Sequence, residues 1–154
     1  MSHHERVTFT QGRDVIEHAV RHLSQIRDVL DELRERDDHD ERVAMFLDSV
    51  EIEQRNLLGA VARLLEDGAP AALETYAQYT VELPTEVPPP EDAGSTLGIT
   101  RWLAEQNGHL QRTFAELADN GASGAEREMF AALAQQIESH ERRLSKEYQR
   151  SEDL

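Results

Sequence analysis

Glu51-Ile52-Glu53-Gln54-Arg55-Asn56-Leu57 and Glu138-Ser139-His140-Glu141-Arg142-Arg143-Leu144 carry the same polar interruption inside an apolar helical stripe. The offset that aligns them, without a gap, also lays His22-Leu23 on His109-Leu110 and Leu30 on Leu117. A helical hairpin that occurs twice, with polar groups at matching depths, predicts an all-α, antiparallel four-helix bundle with a polar interior site. That site is where function is expected.

Outward from these stretches, the periodicity predicts a first helix over 11–36. There Ile16, Ala19, Leu23, Ile26, Leu30 and Leu33 recur at spacings of three and four, one face of a 3.6-residue period. A polar connector, Arg36 to Asp40, offers Asp38 or Asp40 as a cap. The second helix spans 41–66 with the stripe Val43, Phe46, Val50, Glu53, Leu57, Ala60 and Leu64. Asp67-Gly68 ends it, glycine supplying the left-handed conformation a helix stop favours.

Residues 67–98 read as an irregular crossover between helices two and three. A short helix over 71–79 is expected, then an extended run from Leu83 to Pro90 imposed by its prolines. A connection this long can cross a bundle within one chain, which is preferred; linking hairpins of two chains in a swapped homodimer is the other arrangement. The third helix starts after Ser95 or Thr96 and runs to about Asp119, its stripe including Gln106 and His109; the fourth spans 124–150 and carries Phe130, Leu133, Ile137, His140 and Leu144. No long segment with strict strand alternation is expected. Residues 1–154 then form one domain: first hairpin 11–66, crossover 67–98, second hairpin 99–150.

The 154 residues carry a formal net charge of −15 and no cysteine. The charge argues against nucleic acid, whose phosphates demand a basic face. The lack of cysteine excludes disulfides and thiolate metal sites. No window approaches the roughly 20 apolar residues of a membrane span, and Met1 to Arg6 shows no apolar signal region. A cytoplasmic protein with no membrane partner is the expectation, with a homodimer or higher oligomer as the assemblies open to it.

His22, Glu53, His109 and His140 fall near mid-helix, one per helix. Imidazole and carboxylate together suit zinc, iron, manganese or copper, and a buried carboxylate needs a cation or donor beside it. His18, four residues before His22, and Glu105, four before His109, form a second tier on the same faces. Gln54 and Glu141 flank the inner pair, and Glu51 and Glu138 would add donors for two metals. The competing account is structural: isolated polar residues at core positions fix helix register without any cofactor, and a Glu53–His140 hydrogen bond with Gln106 would satisfy such a layer.

With two hairpins, a long link between them, and acidic or histidine residues at mid-helix, the chain resembles the ferritin-like superfamily of rubrerythrin and bacterioferritin relatives. The resemblance implies binding of two iron or manganese ions, with iron oxidation, peroxide reduction or iron storage as chemistry. That family places a Glu on helices one and three and Glu-x-x-His on helices two and four. By its pattern Glu53 keeps the carboxylate of one motif and His140 the imidazole of the other, while Glu105 and Glu17 stand for the remaining carboxylates. Asn56 and Ile137 occupy the positions that would complete the motifs. Hemerythrin-like bundles are a second resemblance, with more histidines than this chain has. The expectation is a bundle binding a transition metal (iron, manganese or zinc) through His22, Glu53, His109, His140, Glu105 and His18, with scope for redox activity. The alternative is a non-enzymatic structural or interaction bundle whose polar layer sets helix pairing.

Overall fold

The computed structural model describes residues 4–84, 86–121 and 123–153. In chain order these form β1 (His4–Gln11), α1 (Gly12–Arg34), α2 (Glu41–Asp67), α3 (Pro70–Leu73), β2 (Tyr76–Pro84), α4 (Thr96–Asn120) and α5 (Gly124–Glu152). The four long helices lie where the periodicity puts them. Asp40 caps α2 by accepting from the Val43 amide at 2.8 Å, and Ser95 and Ser123 cap α4 and α5 through the Gly98 and Glu126 amides.

Side-chain contacts fix the directions. Arg13, at the start of α1, reaches the Leu65 carbonyl near the end of α2, and Arg34, at the other end of α1, pairs with Asp48 at 3.0 Å. Thr96 at the start of α4 meets Glu152 at the end of α5, and Arg143 of α5 pairs with Glu53 of α2. Neighbours α1 and α2, α4 and α5, and α2 and α5 are all antiparallel. The segment from Gly68 to Ser95 therefore travels the bundle's length.

That journey overturns the all-α expectation. The crossover is not irregular: residues 76–84 form a strand that pairs antiparallel with the opening strand, Val7 opposite Val81, Thr8 opposite Thr80 and Phe9 opposite Tyr79. The helix expected over 71–79 shrinks to Pro70–Leu73. Extended backbone leaves amides and carbonyls without local partners, and they must be paired where the chain lies against a core; the opening segment supplies that pairing. Phe9, Tyr79, Val81 and Leu83 face inward and are buried, and Tyr79 meets Phe130 edge-on at 5.6 Å between ring centres. Thr8 and Thr80 face out, their hydroxyls 3.1 Å apart. Farther along, the Trp102 indole donates to the Pro88 carbonyl at 2.7 Å and ties the proline run to α4. Thr85 of that run lies outside the described residues.

Gly68 ends α2, but its φ of −67° is not the left-handed conformation expected of it. Glycine serves there because a Cβ would collide with the Leu64 carbonyl oxygen and the Leu73 side chain. Leu57 and Leu144, equivalent in the repeat, are both in the core, at 2% and 4% exposure. Among the described residues no helix is long and apolar enough to cross a membrane.

Candidate functional site

The stripe of α2 continues from Val50 through Gln54 to Leu57 and Val61, so Gln54 rather than Glu53 enters the interior. There it meets Asn107 of α4 and His140 of α5, all three buried. The Gln54 and Asn107 side-chain amides pair reciprocally: Asn107 Nδ2 donates to Gln54 Oε1 at 2.7 Å, and Gln54 Nε2 donates to Asn107 Oδ1 at 3.3 Å. Gln54 Oε1 also accepts from His140 Nε2, which fixes the proton on that nitrogen. Burial, with Arg143 adding to it, lowers the His140 pKa to about 4. Its imidazole is neutral at pH 7, and Nδ1 has no hydrogen-bond partner among the described residues.

A second group of imidazoles lies under the ribbon. His22 is buried in α1 and its Nε2 donates to the Gln106 carbonyl at 3.2 Å; its ring centre is 6.3 Å from that of His109 on α4. His18, one turn earlier, lies 5.9 Å from the Phe9 ring of β1. Burial lowers the His18 pKa to about 4, helped by Arg21 and His109. Burial also lowers that of His22 to about 4, against the opposing Gln106 carbonyl bond. An open pocket of about 330 Å³ borders His18 and His22 beside Val7 and Leu83. Another of about 660 Å³ borders His109, Arg112 and Glu116.

The six expected ligands therefore separate. His18, His22 and His109 share the ribbon region, and His140 belongs to the amide network. Glu53 turns toward the rim of α5, where Arg143 Nε binds it at 3.1 Å. Glu105 is exposed, beside Arg101 and Trp102. Glu51 is buried but faces Arg34 and Arg55, at 3.9 and 3.8 Å; exposed Glu138 faces Arg142 at 3.4 Å. Among the described residues no three His, Asp or Glu side chains are disposed to hold a metal ion. Of the carboxylates named for a pair of metals, Glu51, Glu53 and Glu138 already face arginines and Glu105 is exposed.

Asn107 is what the expectation lacked, and Gln54, expected only to flank the inner pair, is the centre of the network. The available signal was chemical: Val50 and Leu57 are compatible with either Glu53 or Gln54 as the inner residue, and burying a neutral amide costs less than burying a carboxylate. Two acids sit off the network. Glu126 is fully buried at the start of α5, its carboxylate accepting from Ser123 Oγ at 3.1 Å, and burial raises its pKa despite Arg127. Burial also raises the pKa of Glu141, opposed by Arg112 and reinforced by Glu138. Compared with protein-family models, curated proteins and solved structures, the chain matches none.

Proposed function

We propose that the protein is a non-enzymatic interaction bundle whose buried amide–imidazole layer sets helix pairing. One observation carries this: Gln54 Oε1 receives Asn107 and His140 together, joining α2, α4 and α5. Slippage of any of these helices by one turn, about 5.4 Å, would strand the donors in a dry interior at about 1–3 kcal/mol each. Apolar contacts alone penalise such a slip less sharply. The −15 charge suits a soluble cytoplasmic protein with no nucleic-acid partner.

The test is a triple replacement, Gln54→Leu, Asn107→Leu and His140→Phe, compared with wild type by thermal melting and amide NMR. Helicity and melting temperature should hold or rise, while the NMR spectrum loses its single well-dispersed set of peaks as register loosens. A triple variant with an unchanged spectrum would overturn the assignment.

One observation favours a transition-metal site beneath the ribbon instead. His18 Nε2 is buried with no hydrogen-bond partner among the described residues, and His22 and His109 are its neighbours. To bind, the rings must turn toward one point and His22 must release the Gln106 carbonyl. Added zinc or manganese would then raise the melting temperature, by the stabilisation that ligand binding to the folded state brings. His18→Gln would abolish that rise while His140→Leu would keep it.

A further inference from the structure

Pro88-Pro89-Pro90-Glu91-Asp92 is held against α4 at two points. The Trp102 indole donates to the Pro88 carbonyl, and the Asp92 carbonyl oxygen lies so close to Gly98 that a Cβ there would collide with it. Between these points the segment and the helix border an open groove of about 630 Å³. Pro88, Pro89, Leu97 and Trp102 give it an apolar surface, and Leu97 is 39% exposed. Glu91, Asp92, Arg101 and Glu105 also line it, all four exposed. Three carboxylates against one guanidinium leave the lining at a formal −2.

The groove accepts hydrogen bonds far more readily than it donates them. Proline has no amide proton, so residues 88–90 contribute carbonyl oxygens and no backbone donor. The Trp102 N–H is already used on Pro88, and ionised carboxylates only accept. Ser95 caps the Gly98 amide and donates to Asp92 at 2.6 Å, so the positive end of α4 is answered within the chain. Among the described residues Glu91 and Glu105 are paired with no base. Arg101 is the one side chain among the described lining residues with donors left.

We propose that this groove receives an extended, lysine- or arginine-rich segment of a partner protein. Such side chains lay their methylene stems along apolar surface while the charged heads stay at its edge; here the stems cover Pro89 and Leu97 and the heads meet Glu91 and Glu105. Charge and hydrogen-bond inventory select the same occupant. An acidic segment brings no cation to the carboxylates, and a second copy of a chain at −15 is repelled. The exposed Leu97 favours a polypeptide, which carries apolar side chains among its basic ones, over a free polyamine. The proposal rests on the interaction-bundle reading for the occupant being a protein partner, and adds the chemistry of that partner's segment.

Trp102 is the chain's only tryptophan, so its emission reports on the groove directly. An eight-residue peptide alternating lysine with leucine, titrated into the full chain, should change that emission saturably, and added salt should weaken binding. Glu91→Lys with Glu105→Lys should weaken it by about tenfold or more, since like charges then face each other, with circular dichroism unchanged. Glu66→Lys with Glu128→Lys makes the same change in net charge at the opposite end of the bundle and should leave binding nearly as in wild type. Leu97→Ser should weaken the peptide but not spermine. No saturable change, an equal loss in both charge variants, or spermine binding as tightly as the peptide overturns the proposal. Because α4 and the segment before it build the groove, the Gln54, Asn107 and His140 triple variant should still bind the peptide even if its NMR spectrum refutes the register role. A wild type that ignores the peptide leaves that role standing.

Discussion

Gln54→Leu is the substitution that the buried network predicts to be most damaging for its size. The new side chain is similar in volume and apolar, so by area alone it should be tolerated. It removes, however, the acceptor of Asn107 Nδ2, the acceptor of His140 Nε2 and the donor to Asn107 Oδ1. Two buried donors left unpaired at about 1–3 kcal/mol each give a loss of about 2–6 kcal/mol. That is a large part of the 5–15 kcal/mol or so that holds a typical domain folded. Urea denaturation followed by helical circular dichroism measures it, with a lower midpoint at unchanged slope as the signature. The companion His140→Leu, Gln54→Leu double variant leaves only Asn107 unpaired and should recover part of the loss, because neighbours in one network are not additive. A Gln54→Leu loss below about 0.5 kcal/mol, the level of an ordinary surface change, would refute the account.

Three further outcomes follow from the packing and the titrating groups. His22 and His140 have folded pKa values near 4 against about 6.5 in the unfolded chain, so the unfolded state binds more protons between those limits. Stability should then fall as pH drops from about 6.5 toward 4, by up to about 3 kcal/mol per group. Glu126 and Glu141, whose pKa values are raised, act in the opposite sense, since protonation relieves their burial. Urea midpoints across this range check it, and a profile identical in His140→Leu would contradict it. Leu57→Ala and Leu144→Ala should each cost about 2–5 kcal/mol, as buried large-to-small changes do, read from the same denaturation curves. Tyr79→Phe should be neutral or stabilising by about 1 kcal/mol in thermal melting, because the Tyr79 hydroxyl is buried with no hydrogen-bond partner among the described residues.

The four long helices were legible because each carries its own evidence, a periodic stripe bounded by a capping residue. The ribbon was harder. Tyr79-Thr80-Val81-Glu82-Leu83 does alternate apolar and polar, but a five-residue alternation becomes a strand only when a partner exists, and Val7-Thr8-Phe9 lies far off in sequence. The imidazole positions were partly legible: His22 and His140 are interior, as their stripes require. Glu53 was misplaced by one residue, or about 100° of helix, because apolar spacing does not separate neighbours at a polar interruption. What decides between them lies on another helix, where Arg143 holds Glu53 at the rim and Asn107 holds Gln54 inside.

The ribbon also orders events in time. Thr8 and its partner Thr80 are separated by 72 positions in sequence, so β1 leaves the ribosome well before the strand it pairs with. At roughly 5–20 residues per second, Val7 and Phe9 wait about 4–14 s for that partner, with an apolar face and an open edge in reach of other nascent chains. The hairpin of α1 and α2 is finished first and can fold locally, but its interior amide Gln54 waits longer still for His140, 86 positions away. Nascent intermediates should therefore contain helix before sheet, and a factor that shelters the first ten or so residues would raise the yield of native protein more than one acting on the final hairpin.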